Sequence, residues 1–343
     1  MSKSRKLIVL TVSIFAFVAV LSGFASTNAM AKAKYEIKLA CLLSKAHPHP
    51  RTFEFFAKKV KEYTKGQVEV KVYPSGQLGR TDDIIMGLQM GTIQMGKAAL
   101  SFVTKVVPEV KIFDLPYLFK NRTQLINVLD GPLGQKIMKD VFPKYGLIGL
   151  FYMDDGARSI YCNSPVRKPA DLKGKKIRVM TSDVMIDAIN AMGGIATPMA
   201  WPEVYTALEQ KTIDGAENSP VLFYTSKHWE ASKVYSLTKQ FWLVATLFVS
   251  KKFWDTLPAD IQTQIRKAAD VAKWYERYIY LADEVHAFDK LKKAGVKIVT
   301  DVDIAAFKKA VQPVWQKYEK KYPYAKAWIK TIEATPSDHL VEK

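Results

Sequence analysis

Residues 35–73 read YEIKLACLLSKAHPHPRTFEFFAKKVKEYTKGQVEVKVY, and this stretch decides the fold class. The run from Tyr35 to Leu43 has the apolar, partly alternating character of a strand. From Thr52 to Thr64 the spacing changes: Phe53, Phe56, Ala57, Val60 and Tyr63 fall on one helical face before the stop at Gly66. Gln67 to Tyr73 alternates again, with Val68, Val70 and Val72 on one side. A strand, a helix and a strand in that order predict a right-handed parallel crossover, hence an α/β sheet. The pattern continues with a helix over Asp82 to Met90 and a strand near Ile93 to Met95.

Before this unit lies a processing segment. Lys3, Arg5 and Lys6 form a basic start, Leu7 to Leu21 is a largely apolar run, and Ala29-Met30-Ala31 presents small residues at the two positions a signal peptidase reads. Residues 1–31 are expected to be a signal peptide, with the mature chain starting near Lys32 in the periplasm. The apolar run is too short to span a bilayer, which takes about 20 residues. Leu21-Ser22-Gly23-Phe24 has phenylalanine where a lipidated cysteine would stand, so no lipid anchor is expected.

The remaining 312 or so residues exceed what a single core comfortably holds, and two lobes are expected. The formal charge of +18 becomes +15 without Lys3, Arg5 and Lys6, because residues 1–31 carry no acid. Such a charge suits an anionic partner. Nucleic acid fits poorly, since only nine of the 51 basic residues are arginine and the lysines are scattered. Cys41 and Cys162, the only cysteines, are flanked by apolar residues and read as buried free thiols more readily than as a disulfide. From Pro258 to Gly295 neither proline nor glycine interrupts the chain, which predicts one helix of roughly 55 Å. Its stripe of Ile261, Ile265, Ala268, Val271, Ala272, Tyr275, Ile279, Ala282 and Val285 is expected to lie against the cores.

Chemistry gathers between Gly156 and Pro220. Arg178 stands at the end of a short apolar strand fed by a turn-rich stretch, where a planar guanidinium is held rigidly enough for bidentate recognition of a carboxylate. A strand-end arginine also commonly serves as a surface ion-pair partner.

Several motifs in order resemble the solute-binding proteins of tripartite ATP-independent periplasmic (TRAP) transporters, DctP type. They are Tyr73-Pro74-Ser75-Gly76-Gln77-Leu78-Gly79, Phe113-Asp114-Leu115-Pro116-Tyr117-Leu118-Phe119, Asp171-Leu172-Lys173-Gly174 with Ile177-Arg178-Val179, Thr197-Pro198-Met199 with Glu203-Val204-Tyr205, and Asp214-Gly215-Ala216-Glu217-Asn218. The resemblance runs from about residue 35 to about residue 300. It implies an α/β, two-lobed periplasmic binding protein fold with a hinge of crossover strands and a long helix spanning both lobes. The chain should cross near Arg158 and return in Phe241 to Ser250. The lobes are expected to comprise residues 32–155 with 244–283, and residues 156–243 with 284–343.

The resemblance also implies the site. Arg178 would form the central salt bridge to a ligand carboxylate, with Arg158 and Asn218 as further contacts. His47, after the first strand, and Trp242, near the return crossover, are weaker candidates. His47 with His49 lacks an obvious third metal ligand, so no metal or cofactor is expected. Where some relatives carry an acidic selector, this chain has Lys97-Ala98-Ala99-Leu100-Ser101-Phe102, which argues against sialic acid. The function implied is capture of a small organic acid anion by a monomeric or weakly associated protein and delivery to membrane permease subunits. A secreted enzyme acting on an acidic substrate is the alternative, although no nucleophile elbow, metal helix or phosphate loop is present. A ligand-sensing periplasmic protein serving a receptor is another.

Overall fold

The computed structural model describes residues 33–341; the expected signal peptide and its cleavage point lie outside them. The first crossover forms as the sequence predicts. β1 (Tyr35–Ala40) and β2 (Val68–Tyr73) pair in parallel around helix α1 (Pro48–Tyr63). That helix begins four residues earlier than its apolar spacing suggests, because His47 caps it and Pro48 and Pro50 tolerate a first turn whose N–H groups are unpaired anyway. After α2 (Thr81–Met90) the third strand, β3 (Met95–Ala99), is later than expected and carries Lys97 within the strand.

Two long strands organise the rest. β4 (Leu147–Cys162) and β8 (Val234–Ser250) pair antiparallel along nearly their whole lengths. The N-terminal half of β4 and the C-terminal half of β8 join the sheet of β1, β2 and β3. Their other halves join β5 (Lys176–Val179), β6 (Ile195–Pro198) and β7 (Gly215–Asn218). The strand order is β2-β1-β3-β8-β4-β7-β5-β6, with β9 (Lys297–Val299) beside β8. Ladder register breaks between Asp154 and Ala157. Such an irregularity bends a strand and re-aims its side chains. Gly156 sits there at φ +72°, where an added Cβ would lie 3.0 Å from Tyr280 Oη and 3.1 Å from Ser219 Cβ.

Beyond α3 (Arg122–Asp130), α4 (Asp183–Ala191), α5 (Val204–Glu209) and α6 (Pro220–Thr225), the chain forms α7 (Ala259–Lys293), the long helix, at 35 residues. It packs on α1 and on α6, reaching both halves of the sheet. Ile261, Ile265, Ala268, Ala272, Ile279 and Leu291 are buried along it, and so is Glu276. Here the sequence reading needs correction. Val271 and Val285 are 39% and 58% exposed, because the buried stripe follows the spacing 261, 265, 268, 272, 276, 279 and puts them on the opposite side. Glu276 occupies the apolar stripe as a charged residue, so pattern reading passed over it. Cys41 and Cys162 are both buried free thiols. Among the described residues no helix is long and apolar enough to cross a membrane.

Candidate functional site

A cleft opens where the two halves of the sheet meet at the β4–β8 ladder. About 470 Å³ of space, open solvent included, lies between its lining atoms, of which about 50 Å³ is open to the centre of a water molecule. One wall comes from Leu42, Leu43, Lys97 and Phe102, the other from Arg158, Arg178, Met180, Trp201 and Asn218, with Asp155 from the irregular segment of β4 between them.

Arg178 stands on β5, whose alternation sends Ile177 and Val179 into the core and the arginine towards the cleft. It is 1% exposed. Nε and Nη2 both donate to Met199 O, at 3.0 and 2.7 Å, so this carbonyl fixes one edge of the guanidinium. Its other terminal nitrogen, Nη1, is buried with no partner. No carboxylate is paired with it among the described residues. Burial lowers its pKa to about 10 despite the attraction of Glu217, so it remains a cation at neutral pH. The indole of Trp201 lies 5.5 Å away and forms a flat cation–π wall. His228 lies behind Trp201 at 4.8 Å and is kept neutral by burial, with Arg178 next in effect, its pKa being lowered to about 3. A desolvated, uncompensated guanidinium is costly unless an anion arrives.

Arg158, on β4, is differently placed. Nε and Nη2 donate to the two carboxylate oxygens of buried Glu217 at 2.5 and 2.8 Å, Nη2 also reaches Glu217 O, and Nη1 donates to Asn218 Oδ1 at 2.6 Å. Burial works against its charge, but the ion pair with Glu217 prevails and its pKa is raised. Four of its five N–H groups are thereby used, leaving one on Nη1. Asn218 closes β7 beside it. Its Oδ1 also accepts from Ser219 N at 3.0 Å, whereas Nδ2 is buried with no partner. The adjoining helix cap is made by Ser219, not by Asn218. Three unspent donor groups, on Arg178, Arg158 and Asn218, therefore converge on one cleft. That set suits a carboxylate.

Facing them, Lys97 Nζ donates to Asp155 Oδ2 at 2.8 Å, with both residues nearly buried. Burial alone would raise the Asp155 pKa; the neighbouring ammonium overrides it and holds the carboxylate well below its usual range. Neither residue was singled out from sequence as a ligand contact. The signals were present: a lysine within a small-residue strand, and paired acids ending the apolar run of β4. Glu217 lay in a quoted motif without a role.

His47 and Trp242 are not among the residues that line the cleft. His47 is fully buried at the start of α1, where its Nδ1 accepts from His49 N at 3.2 Å; Leu42 and Leu43 are what this loop presents to the cleft. Trp242 packs under the guanidinium of Arg122 at 5.6 Å, and strand alternation gives the cleft to Leu243 instead. His47, His49 and Asp155 have nitrogen and oxygen atoms within 4.8 Å of one another. A cation fits them poorly, because His47 Nδ1 already accepts a backbone N–H, so the neutral ring carries its proton on Nε2, the atom that would have to ligate.

Residues 39–321 match the family described as bacterial extracellular solute-binding protein, family 7 (DctP). The C4-dicarboxylate-binding periplasmic protein DctP of Rhodobacter capsulatus is 32% identical over 282 residues, covering 81% of this chain and 84% of that protein. A TRAP periplasmic solute-binding protein of Chromohalobacter salexigens, solved with bound D-glucuronate, superposes with a TM-score of 0.85 at 33% identity, covering 87% of this chain and 99% of that one. Another, from a Bradyrhizobium species and complexed with D-galacturonate, superposes with a TM-score of 0.84 at 36% identity, covering 88% and 100%. These relatives are binding proteins rather than enzymes. With its ordered motifs, its two-lobed sheet and its anion-seeking cleft, the chain belongs to the DctP family of TRAP solute-binding proteins.

Proposed function

We propose that this protein captures a hexuronate, such as D-glucuronate or D-galacturonate, outside the cytoplasm and delivers it to TRAP permease subunits. The observation that carries the reading is buried Arg178, with Nη1 unspent and no carboxylate ion-paired with it among the described residues. A hexuronate carboxylate would take two bonds from Arg178 and one each from Arg158 and Asn218. Its ring would lie on Trp201, and its hydroxyls would reach the Lys97–Asp155 pair, which supplies a donor and an acceptor at the far side. A C4-dicarboxylate fits this wall less well. Its second carboxylate would meet an ammonium already neutralised by Asp155 at 2.8 Å. The chain is taken to be exported, with its signal peptide removed near Ala31. Closure of residues 32–155 with 244–283 onto residues 156–243 with 284–343, flexing about the irregular β4 segment, would exclude water and present a loaded shape to the permease.

Calorimetric titration with glucuronate, galacturonate, succinate, malate and neutral glucose tests the ligand class. Hexuronates should bind tightest and glucose not at all. Preference for a C4-dicarboxylate would overturn the sugar-acid reading while leaving Arg178 as the anion anchor, and binding of glucose would overturn both.

A further inference from the structure

The exposed side of α7 carries an apolar seam that the binding function does not use. Val271, Trp274, Tyr278, Leu281 and Val285 are 39%, 55%, 73%, 49% and 58% exposed. Their spacing alternates between three and four residues, the a/d pattern of helices that pair side by side. The seam is about 21 Å long at 1.5 Å per residue. Four residues before it stands Lys267, and four residues after it stands Asp289. Both are exposed, both fall on the line of the seam, and neither has an ion-pair partner among the described residues.

We propose that this seam pairs with the same seam of a second copy, the two helices running antiparallel about a two-fold axis at Tyr278. Lys267 and Asp289 are each 11 residues from Tyr278. The antiparallel register therefore sets Lys267 of one copy against Asp289 of the other at both ends, and Val271 against Val285. A parallel register would oppose Lys267 to itself. An isologous contact of this kind closes after two copies and cannot propagate. A large aromatic side chain offers about 150–250 Å², so five side chains exposed to these degrees present on the order of 500 Å² per copy. Both copies together reach about 1,000 Å², the lower limit for a specific interface, as expected of weak, reversible dimerisation. This gives a form to the weak association that the sequence reading left open beside a monomer. The cleft residues lie elsewhere, so ligand capture continues in the dimer.

Sedimentation equilibrium of the exported protein, with and without glucuronate, tests the proposal. Wild type should show a concentration-dependent monomer–dimer equilibrium. Tyr278→Asp sets two carboxylates against each other on the axis and should remain monomeric, with unchanged thermal stability because Tyr278 packs on little in the monomer. Lys267→Asp should weaken dimerisation several-fold, and adding Asp289→Lys to it should restore wild-type association. The register is tested separately by Tyr278→Cys, which should give a disulfide-linked dimer on mild oxidation, the native thiols being buried. A wild type monomeric throughout, Tyr278→Asp dimerising normally, or a charge reversal that fails to rescue would each overturn the proposal. A seam whose variants lose permease coupling while wild type never dimerises would assign the surface to the permease instead.

Discussion

Arg178 allows a prediction whose magnitude follows from its surroundings. Its guanidinium is buried, one edge is held by Met199 O at 3.0 and 2.7 Å, and Nη1 is free to meet a ligand. Loss of one partner of a desolvated charge pair costs about 2–5 kcal/mol, so Arg178→Ala should weaken hexuronate binding by roughly 30-fold to several thousand-fold. Arg178→Lys keeps the charge, but a single ammonium cannot hold Met199 O with two bonds and also present a planar fork to a carboxylate, so it should recover only part of the loss. The ligand-free protein should respond differently. Removing an unpaired buried cation relieves a desolvation cost, while Met199 O loses its donors at about 1–3 kcal/mol, and these effects offset. Apo Tm should therefore change by only a few degrees, and the ligand-induced rise in Tm should shrink sharply at fixed ligand concentration. Calorimetric titration together with thermal unfolding of the three proteins separates the outcomes. Equal affinities, or a loss of apo stability large enough to account for lost binding, would refute the role given to Arg178.

Lys97→Met should destabilise the protein by about 3–5 kcal/mol by leaving the Asp155 carboxylate buried without its partner; adding Asp155→Asn should recover most of that stability in chemical denaturation but not the hexuronate affinity. Gly156→Ala forces a side chain into a left-handed conformation and towards Tyr280 Oη and Ser219 Cβ, so it should cost at least about 1–2 kcal/mol; an unchanged Tm would show the β4 irregularity to be unstrained. Asp114, which accepts from Ser101 Oγ at 2.5 Å and Ser182 Oγ at 2.6 Å, is raised to about 6 by burial. Its unfolded value is near 3.9, so the folded state holds the proton more tightly. The stability it contributes is fully present below about pH 4 and lost as pH rises through about 6. Asp114→Asn should flatten that part of the Tm–pH profile, and an unaltered profile would mean that another group titrates.

The fold was legible wherever a side-chain period had one meaning. Alternation over Gln67 to Tyr73 and helical spacing over Phe53 to Tyr63 defined the first crossover, and the lack of proline or glycine from residue 259 to 294 marked α7 to within a residue or two. What period cannot supply is the direction a helix faces when both sides carry apolar residues. In α7 the seam and the buried stripe are both apolar, and the buried one contains Glu276. That carboxylate is accommodated because His49 Nε2 lies 3.2 Å from Oε1 and Asp154 N donates to Oε2 at 3.3 Å, partners brought from residues far away in sequence. No local pattern announces such a pairing.

The same limit separates the two arginines. Arg158 and Arg178 each stand on a strand and are each 1% exposed. Distant chemistry divides them. Glu217, brought beside Arg158 by the antiparallel pairing of β4 with β7, neutralises it and takes three of its five N–H groups, and Asn218 takes a fourth, so Arg158 serves chiefly to orient Asn218. On β5, the neighbour of β7 on its other side, Arg178 is held by a carbonyl and an indole, and among the described residues Glu217 attracts it without forming an ion pair. A buried cation in that condition lowers the free energy of the complex more than that of the empty protein, because the ligand carboxylate supplies the countercharge the fold withholds. Selectivity for an anion then follows from one unpaired arginine beside one paired arginine. Moving a carboxylate next to Arg178, as Met199→Glu would do if its side chain reaches the free Nη1, should abolish ligand binding while raising the stability of the empty protein. Thermal unfolding and calorimetry of that variant would decide the point: undiminished hexuronate affinity with a raised apo Tm would show that the anion is recognised elsewhere in the cleft.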